Sequence, residues 1–116
     1  MSVVAIDFDG VINKLVTSEP GEFLEAMPGA LDAVNDFLKD GFDVIIYTAR
    51  SDIEEVKKWL KENGFPNMLV TNVKISADIY VDDKGYRFNE WSNAVIDDVK
   101  ELAGRKEMLT GGKIYH

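Results

Sequence analysis

The sequence has no cysteine, and its single histidine, His116, is the last of 116 residues. The lack of cysteine excludes disulfides, thiolate metal sites and thiol nucleophiles. Because chain ends are usually frayed, we interpret His116 as a solvated residue, which argues against serine–histidine and histidine–metal chemistry. The reactive groups must therefore be sought among carboxylates, hydroxyls and amines.

The chain is also poor in positive charge and in long apolar runs. Its formal net charge is −8 at pH 7, and a surplus of negative charge opposes nonspecific attraction to nucleic acids and anionic membranes. No apolar run is long enough to predict a membrane helix or a signal segment, and no basic region precedes the first run. We therefore expect a cytoplasmic protein that makes no contact with membranes.

With 46% hydrophobic residues, the chain can form one core, so the sequence predicts a single domain, 1–116. Four apolar runs alternate with segments of helical periodicity, which is typical of an α/β fold with a parallel sheet. Strands are predicted at 3–8, 43–48, 68–70 and 77–81, with a brief fifth strand at 86–88. Helices are predicted to begin at Pro28 and at Ser51, where Glu54 completes a capping box, and a third helix carries Val95, Val99 and Leu102.

This order of elements predicts a three-layer α/β/α sandwich, in which a Rossmann-like parallel sheet has helices on both faces. The stretch 13–27 contains Pro20-Gly21 and is predicted to be irregular, lying over the end of the first strand. It is too short to hold a cap domain. In open sheets of this kind ligands bind beyond the carboxyl ends of the strands, so residues that follow strands are the functional candidates.

An acidic pair follows the first predicted strand. Asp7 and Asp9, in Asp7-Phe8-Asp9-Gly10, are two residues apart, so in an extended chain they point to the same side. Two anions held together repel each other unless a cation or a shared proton separates them, and a hard cation such as Mg²⁺ takes oxygen ligands. The alternative interpretation is a simple turn or helix cap, which Asp and Gly form readily.

Other polar residues are predicted at the same edge of the sheet. Thr48 and Arg50 follow the second strand, Lys74 lies just before the fourth, and Asp82-Asp83 ends the fourth. The carboxyl ends of parallel strands share one edge, so four separate segments bring carboxylates, a hydroxyl and an ammonium group together.

These residues, in this order, resemble the four short motifs of the haloacid dehalogenase (HAD) superfamily of phosphotransferases. Asp7-Phe8-Asp9-Gly10-Val11 resembles the first motif, although Val11 and Ile12 stand where Thr or Ser is commoner. Ile46-Tyr47-Thr48-Ala49-Arg50 resembles the second motif, Lys74 the third and Asp82-Asp83 the fourth. Each motif alone is weak, so the specificity of the resemblance lies in the ordered set.

The resemblance implies a role for each matched residue. Asp7 would be the nucleophile that forms an aspartyl phosphate, and Asp9, protonated when the substrate arrives, would be the general acid and then the general base. Thr48, Lys74 and the main-chain amides after Asp9 would bind the phosphoryl oxygens, with Arg50 as a further substrate-binding residue. The metal ligands would be Asp7, the Asp9 carbonyl, Asp82 and Asp83, the last directly, through water or as a partner of the other ligands.

Three large side chains have less specific interpretations. Arg50 could join Lys84 and Arg87 in a basic rim, or it could pair with a carboxylate. Trp59 and Trp91 are interpreted as core residues and not as stacking platforms for a ligand.

The resemblance therefore implies a capless, Mg²⁺-dependent phosphatase that hydrolyses a phosphate monoester. Without a lid, water must be excluded by the substrate, by the stretch 13–27 or by a neighbouring subunit, so a homo-oligomer stays open. The acidic charge favours a phosphorylated small molecule, a metabolite or a nucleotide, over a macromolecular or nucleic-acid phosphate end. The alternative class is a noncatalytic phosphate- or partner-binding module, such as a receiver domain. A receiver has its phosphoacceptor aspartate after the third strand, where this chain has Val70-Thr71-Asn72.

Overall fold

The computed structural model describes residues 2–14, 21–73, 76–82, 86–87 and 90–108, without the side chains of 86–87 and 105–108. Strands and helices alternate along most of the chain, as predicted. In chain order the elements are β1 (Val3–Asp7), α1 (Ala30–Lys39), β2 (Asp43–Tyr47), α2 (Ile53–Glu62), β3 (Leu69–Thr71), β4 (Ile79–Asp82), β5 (Tyr86–Arg87) and α3 (Asn93–Met108). The ends of the strands differ from the predicted ends by no more than two residues.

The described strands form one sheet in the order β3-β2-β1-β4-β5, and every neighbouring pair is parallel. β1 is the central strand and pairs with β2 on one side and β4 on the other. Its nearly continuous apolar sequence is typical of such a buried strand. The chain passes from β1 to β2 on one side and later returns to β4 on the other. The strand order thus reverses at β1, and folds of this kind bind ligands at that point. The predicted Rossmann-like parallel α/β fold is confirmed.

One face of the sheet carries the main core. Val4 and Ile6 of β1 face the same way as Ile46 of β2 and Val81 of β4, and all are buried. The three described helices bury residues in this same cluster, among them Phe37, Trp59 and Val99. The sequence predicts helices on both faces, whereas the described helices share one. The reason is that the connection 72–78 between β3 and β4 is too short for a crossover helix.

Local chemistry sets where the helices begin. Helix α1 begins at Ala30 and not at Pro28, because Gly29 before it has φ +81° and lies against Trp91, where a Cβ would come within 3.0 Å of the Trp91 Cβ. The predicted capping box of Ser51 and Glu54 is absent, since the N-cap of α2 is Asp52 and it makes no side-chain cap hydrogen bond.

Trp59 and Trp91 are 7% and 8% exposed and belong to the main core, which confirms their assignment as packing residues. Within the described residues, no helix is both long enough and apolar enough to cross a membrane.

Candidate active site

Two aspartates end neighbouring strands at the carboxyl edge of the sheet. Asp7 ends β1 and Asp82 ends β4, and the register that pairs Ile6 with Val81 makes them neighbours. Both residues are partly buried. Their adjacency follows from two apolar runs that each stop at an aspartate, so the sequence prediction for this pair holds at the level of the backbone.

A tight turn follows Asp7 and determines where Asp9 lies. The Phe8 amide still donates to the Tyr47 carbonyl (3.1 Å), but the Phe8 carbonyl accepts from the amides of Ile12 and Asn13, both at 3.0 Å. Gly10 has φ +80°, and its amide donates to the Asn13 carbonyl (2.7 Å). The amides after Asp9 were predicted to bind phosphate, but in this structure they donate within the turn.

Arg50 binds the Asp9 carboxylate with the fork of its guanidinium. Its Nε lies 3.0 Å from both Asp9 oxygens and its Nη2 lies 2.9 Å from Oδ1. The Arg50 side chain is 0% exposed and that of Asp9 is 11% exposed. A bidentate pair in such a buried setting is strong and directional. Asn13 adds a longer contact from its Nδ2 to Asp9 Oδ1, at 3.3 Å.

The same guanidinium also binds residues 21–24, which we call the 21–24 segment. Arg50 Nη2 donates to the Glu22 carbonyl (2.6 Å), and the guanidinium carbon lies 4.7 Å from the centre of the Phe23 ring. A cation over an aromatic face is attracted by the ring quadrupole. Phe23 also stacks on Trp59, whose Nε1 donates to the Leu24 carbonyl (3.0 Å).

Asp52 is a second carboxylate partner of Arg50. Its Oδ2 lies 3.4 Å from Arg50 Nη1 and accepts from the Gly21 amide at 2.7 Å. The other oxygen, Oδ1, is buried without a hydrogen-bond partner among the described residues. Asp52 therefore joins Arg50 to the 21–24 segment, and this use of its carboxylate explains why it does not cap α2.

The ion pairs keep Arg50 charged in a buried place. Burial alone would lower the pKa of Arg50, but hydrogen bonds and charge interactions with Asp9, and then with Asp52, raise its pKa overall. The site thus has a fixed positive charge within contact of two carboxylates.

Thr48 follows β2 and is fully buried. Its amide donates to the Thr71 carbonyl (3.0 Å), and its Oγ1 accepts from the Arg50 amide (3.1 Å). The hydroxyl thus shapes the turn that leads into Arg50, and a role in phosphate binding stays a prediction. Lys74 and Asp83 lie outside the described residues, so their predicted roles also stay predictions.

Two of the aspartates that are predicted to bind Mg²⁺ end neighbouring strands. They are Asp7 and Asp82, and carboxylate oxygens are donors that suit a hard cation. Within the described ranges no group of three or more acidic, histidine or cysteine side chains could hold a metal ion. Mg²⁺ commonly binds through one or two carboxylates and keeps several waters, so the pair of Asp7 and Asp82 fits it.

Arg50 and Asp52 show what the sequence could and could not reveal. Arg50 is buried and paired with Asp9, which is the second of its two interpretations, and it forms no exposed basic rim. No sequence pattern assigns a role to Asp52 or to the contacts of the 21–24 segment. The only sequence signal was the placement of an arginine and an aspartate two residues apart after the second strand.

A cleft of about 620 Å³ lies elsewhere, between α2 and the chain that leads into β3. Its lining includes Lys57, Lys58 and Lys61 with apolar groups, and Glu54 is its one acidic residue. It lacks the paired carboxylates of phosphoryl chemistry, so the carboxyl edge of the sheet is the better candidate.

Three solved structures resemble this one. A conserved protein from Bacteroides thetaiotaomicron has a TM-score of 0.62 at 20% identity, with 98% of this chain and 97% of that chain covered. An MCSG target from Vibrio cholerae has a TM-score of 0.55 at 18% identity, with coverage of 91% and 99%. A D,D-heptose 1.7-bisphosphate phosphatase from B. bronchiseptica, complexed with magnesium and phosphate, reaches only 0.43 at 20% identity, with coverage of 60% and 48%. The first two share the parallel α/β fold and confirm the fold class.

A comparison with curated protein sequences gives no match. The profile of the family described as PITM 1-3, LNS2 domain, matches residues 4–98. That range includes β1 from Val4 onward, β2 to β5 and the start of α3, with every candidate residue of the site. The chain therefore belongs to the LNS2 domain family, a family of HAD-like phosphatase type.

Proposed function

We propose that the chain is a Mg²⁺-dependent phosphatase that hydrolyses a phosphate monoester through an aspartyl phosphate on Asp7. One observation carries the proposal. Asp7 and Asp82 are adjacent at the point where the strand order reverses, and Asp9 lies two residues further on. The family match supports the same reaction class.

In the first step an Asp7 oxygen attacks phosphorus, and the bond between phosphorus and the ester oxygen breaks. Asp9 gives its proton to the leaving oxygen. In the second step Asp9 takes a proton from the water that attacks the phosphoryl group, and the bond to Asp7 breaks to release inorganic phosphate. When bound by Asp7, the Asp9 carbonyl and Asp82, Mg²⁺ would neutralise charge on the transferred group.

Asp9 must change its contacts to act as an acid. In this structure both of its oxygens accept hydrogen bonds from Arg50. Proton donation needs an O–H directed at the leaving group, so Asp9 must take up a proton and turn one oxygen away from Arg50. The second step needs an Asp9 carboxylate that can accept a proton from water, and the ion pair with Arg50 stabilises that carboxylate.

Thr48, Lys74 and Asp83 complete the proposal as residues that bind phosphate or support the cation. A phosphorylated small molecule is favoured, because the net charge of −8 opposes attraction to nucleic acids. A single capless domain, a cytoplasmic location and absence of membrane contact belong to the same proposal, and a homo-oligomer that closes the site is compatible with it. The alternatives are a macromolecular phosphate end as substrate and a noncatalytic phosphate-binding module.

The test is hydrolysis of an aryl phosphate by the wild type and by Asp7→Asn, each with Mg²⁺ and with a chelator. We expect turnover that needs Mg²⁺ and falls by at least about 10³-fold in the variant, because the nucleophile is lost. Asp43→Asn is the matched control, since Asp43 is an exposed aspartate at the opposite end of β2. Turnover that persists in Asp7→Asn would overturn the role of Asp7, and phosphate binding without turnover would favour the noncatalytic alternative.

A further inference from the structure

Arg50 holds together two parts of the molecule that are distant in sequence. On one side it binds both oxygens of Asp9. On the other side it binds the Glu22 carbonyl and the Phe23 ring, and through Asp52 it is linked to the Gly21 amide. Asn13 makes a second link between the same two parts, because its Nδ2 reaches Asp9 and its Oδ1 accepts from the Leu24 amide.

We propose that Arg50 is a positioning residue that couples the Asp9 side chain to the 21–24 segment, and not a ligand of the substrate phosphate. This inference rests on the proposed function, because it concerns how the proposed acid–base residue is placed. The coupling makes the position of Asp9 depend on where the 21–24 segment lies.

The contacts of Arg50 argue against phosphate binding. Its side chain has no exposed surface, and Nε, Nη1 and Nη2 all have protein acceptors. A phosphate could reach the guanidinium only by displacing Asp9, Asp52 or the Glu22 carbonyl. Each displacement would leave a buried acceptor or charge without its partner, which is costly.

The shape of the guanidinium explains why arginine is needed here. Its flat fork binds Asp9 through two nitrogens while its face lies near the Phe23 ring. A lysine ammonium is a compact point charge that cannot make these contacts together. Phe23 in turn stacks on Trp59 of α2, with ring centres 6.2 Å apart, so the 21–24 segment is held against the core.

A kinetic cycle separates positioning from substrate binding. Arg50→Lys keeps the charge and loses the fork, so we expect kcat on an aryl phosphate to fall about tenfold or more while KM changes less than about threefold. In the Asp9→Asn background the same change should lower kcat by less than about threefold, because Arg50 acts only through Asp9. A KM that rises tenfold with kcat unchanged, or full additivity of the two variants, would overturn the proposal.

Hydrogen exchange tests the coupling without activity. The Leu24 amide donates to Asn13 Oδ1 (2.9 Å), so its exchange reports the placement of the segment. Because coupling is reciprocal, Arg50→Lys and Asp9→Asn should each speed exchange at Leu24 by roughly tenfold, with the amides of α1 unchanged. Unchanged exchange at Leu24 in both variants would overturn the coupling.

The two measurements also separate this inference from the proposed function. A wild type without Mg²⁺-dependent turnover would count against the phosphatase, whereas the exchange result would still decide the coupling. Lys100→Met is the matched control in both experiments, because Lys100 also binds two aspartates but lies between α1 and α3. A Lys100→Met variant that reproduces the Arg50→Lys effects would mean general loosening and overturn the coupling.

Discussion

At each end of the sheet a basic side chain lies between two aspartates, and the two clusters differ in how deeply they are buried. Arg50 lies between Asp9 and Asp52 at the carboxyl edge of the sheet, where the three side chains are 0%, 11% and 10% exposed. Lys100 lies between Asp36 and Asp40, near the amino end of β2, where the aspartate side chains are 42% and 49% exposed.

The difference shows how burial changes the effect of the same charges. Lys100 ties α3 to α1, and water solvates its partners, so the cluster contributes little specificity. Arg50 is closed off from water and binds carbonyl, carboxylate and aromatic groups at once, so its contacts hold the surrounding groups in one arrangement. The buried cluster therefore determines geometry, whereas the exposed one adds a modest helix–helix attachment.

The largest contrast should appear in stability. Arg50→Met leaves the buried Asp9 and Asp52 carboxylates without their cation, so we expect the free energy of unfolding to fall by about 3–5 kcal/mol. The matched change Lys100→Met should have a much smaller effect. Urea titration of both variants measures the difference, and equal losses would show that the two clusters are equivalent.

The next contrast concerns activity. Asp9→Asn should lower the hydrolysis rate by about 10²–10⁴-fold, because the amide cannot transfer the proton. Mass spectrometry of the quenched reaction should show a slowed or trapped phosphoenzyme. Asp36→Asn is the control from the other cluster and should keep the wild-type rate. Wild-type turnover and labelling in Asp9→Asn would remove its assigned role.

A smaller effect is expected from the exposed cluster itself. Lys100→Met should lower Tm by roughly 4 °C or less, because partly solvated ion pairs contribute little. Lys100→Arg, which can keep both partners, should restore most of the loss. A larger loss measured by calorimetry would mean that Lys100 has a structural role beyond its charge.

The smallest contrast is in pH dependence. The hydrogen bond from Lys100 lowers the pKa of Asp40 below its ordinary value of 3.8. A lowered pKa contributes stability that is present above that ordinary value and is lost as pH falls through the folded value. Tm of Lys100→Met should therefore fall less steeply than that of the wild type as the pH falls below 3.8. Parallel curves would show that this pair does not contribute.

The sequence predicts the sheet well, because each of β1 to β4 is set by its own apolar run. Val3 to Ile6 predicts a central strand, and the apolar runs alone place the aspartates that stop β1 and β4 at one edge. The strand boundary at Asp7 could not be predicted to the residue. It depends on the Phe8 carbonyl, which turns to accept the amides of Ile12 and Asn13.

Contacts between distant segments could not be read from the sequence. Ser51 and Glu54 have the spacing of a capping box, but the N-cap position is Asp52, whose carboxylate binds Gly21 and Arg50 instead of a helix amide. The burial of Arg50 likewise depends on the 21–24 segment, which local patterns do not link to it. The placement of the described helices on one face, in contrast, was open to prediction, because the predicted strands 68–70 and 77–81 already leave too few residues between them for a crossover helix.

The position of Trp59 makes it a natural optical probe of the site. Its indole N–H donates to the Leu24 carbonyl, and its ring contacts Phe8 and Phe23. The emission wavelength of an indole depends on its polar surroundings, so displacement of the 21–24 segment would change the fluorescence of Trp59. With Trp91 replaced by Phe, the remaining tryptophan would report displacement of the 21–24 segment in real time, with no label attached.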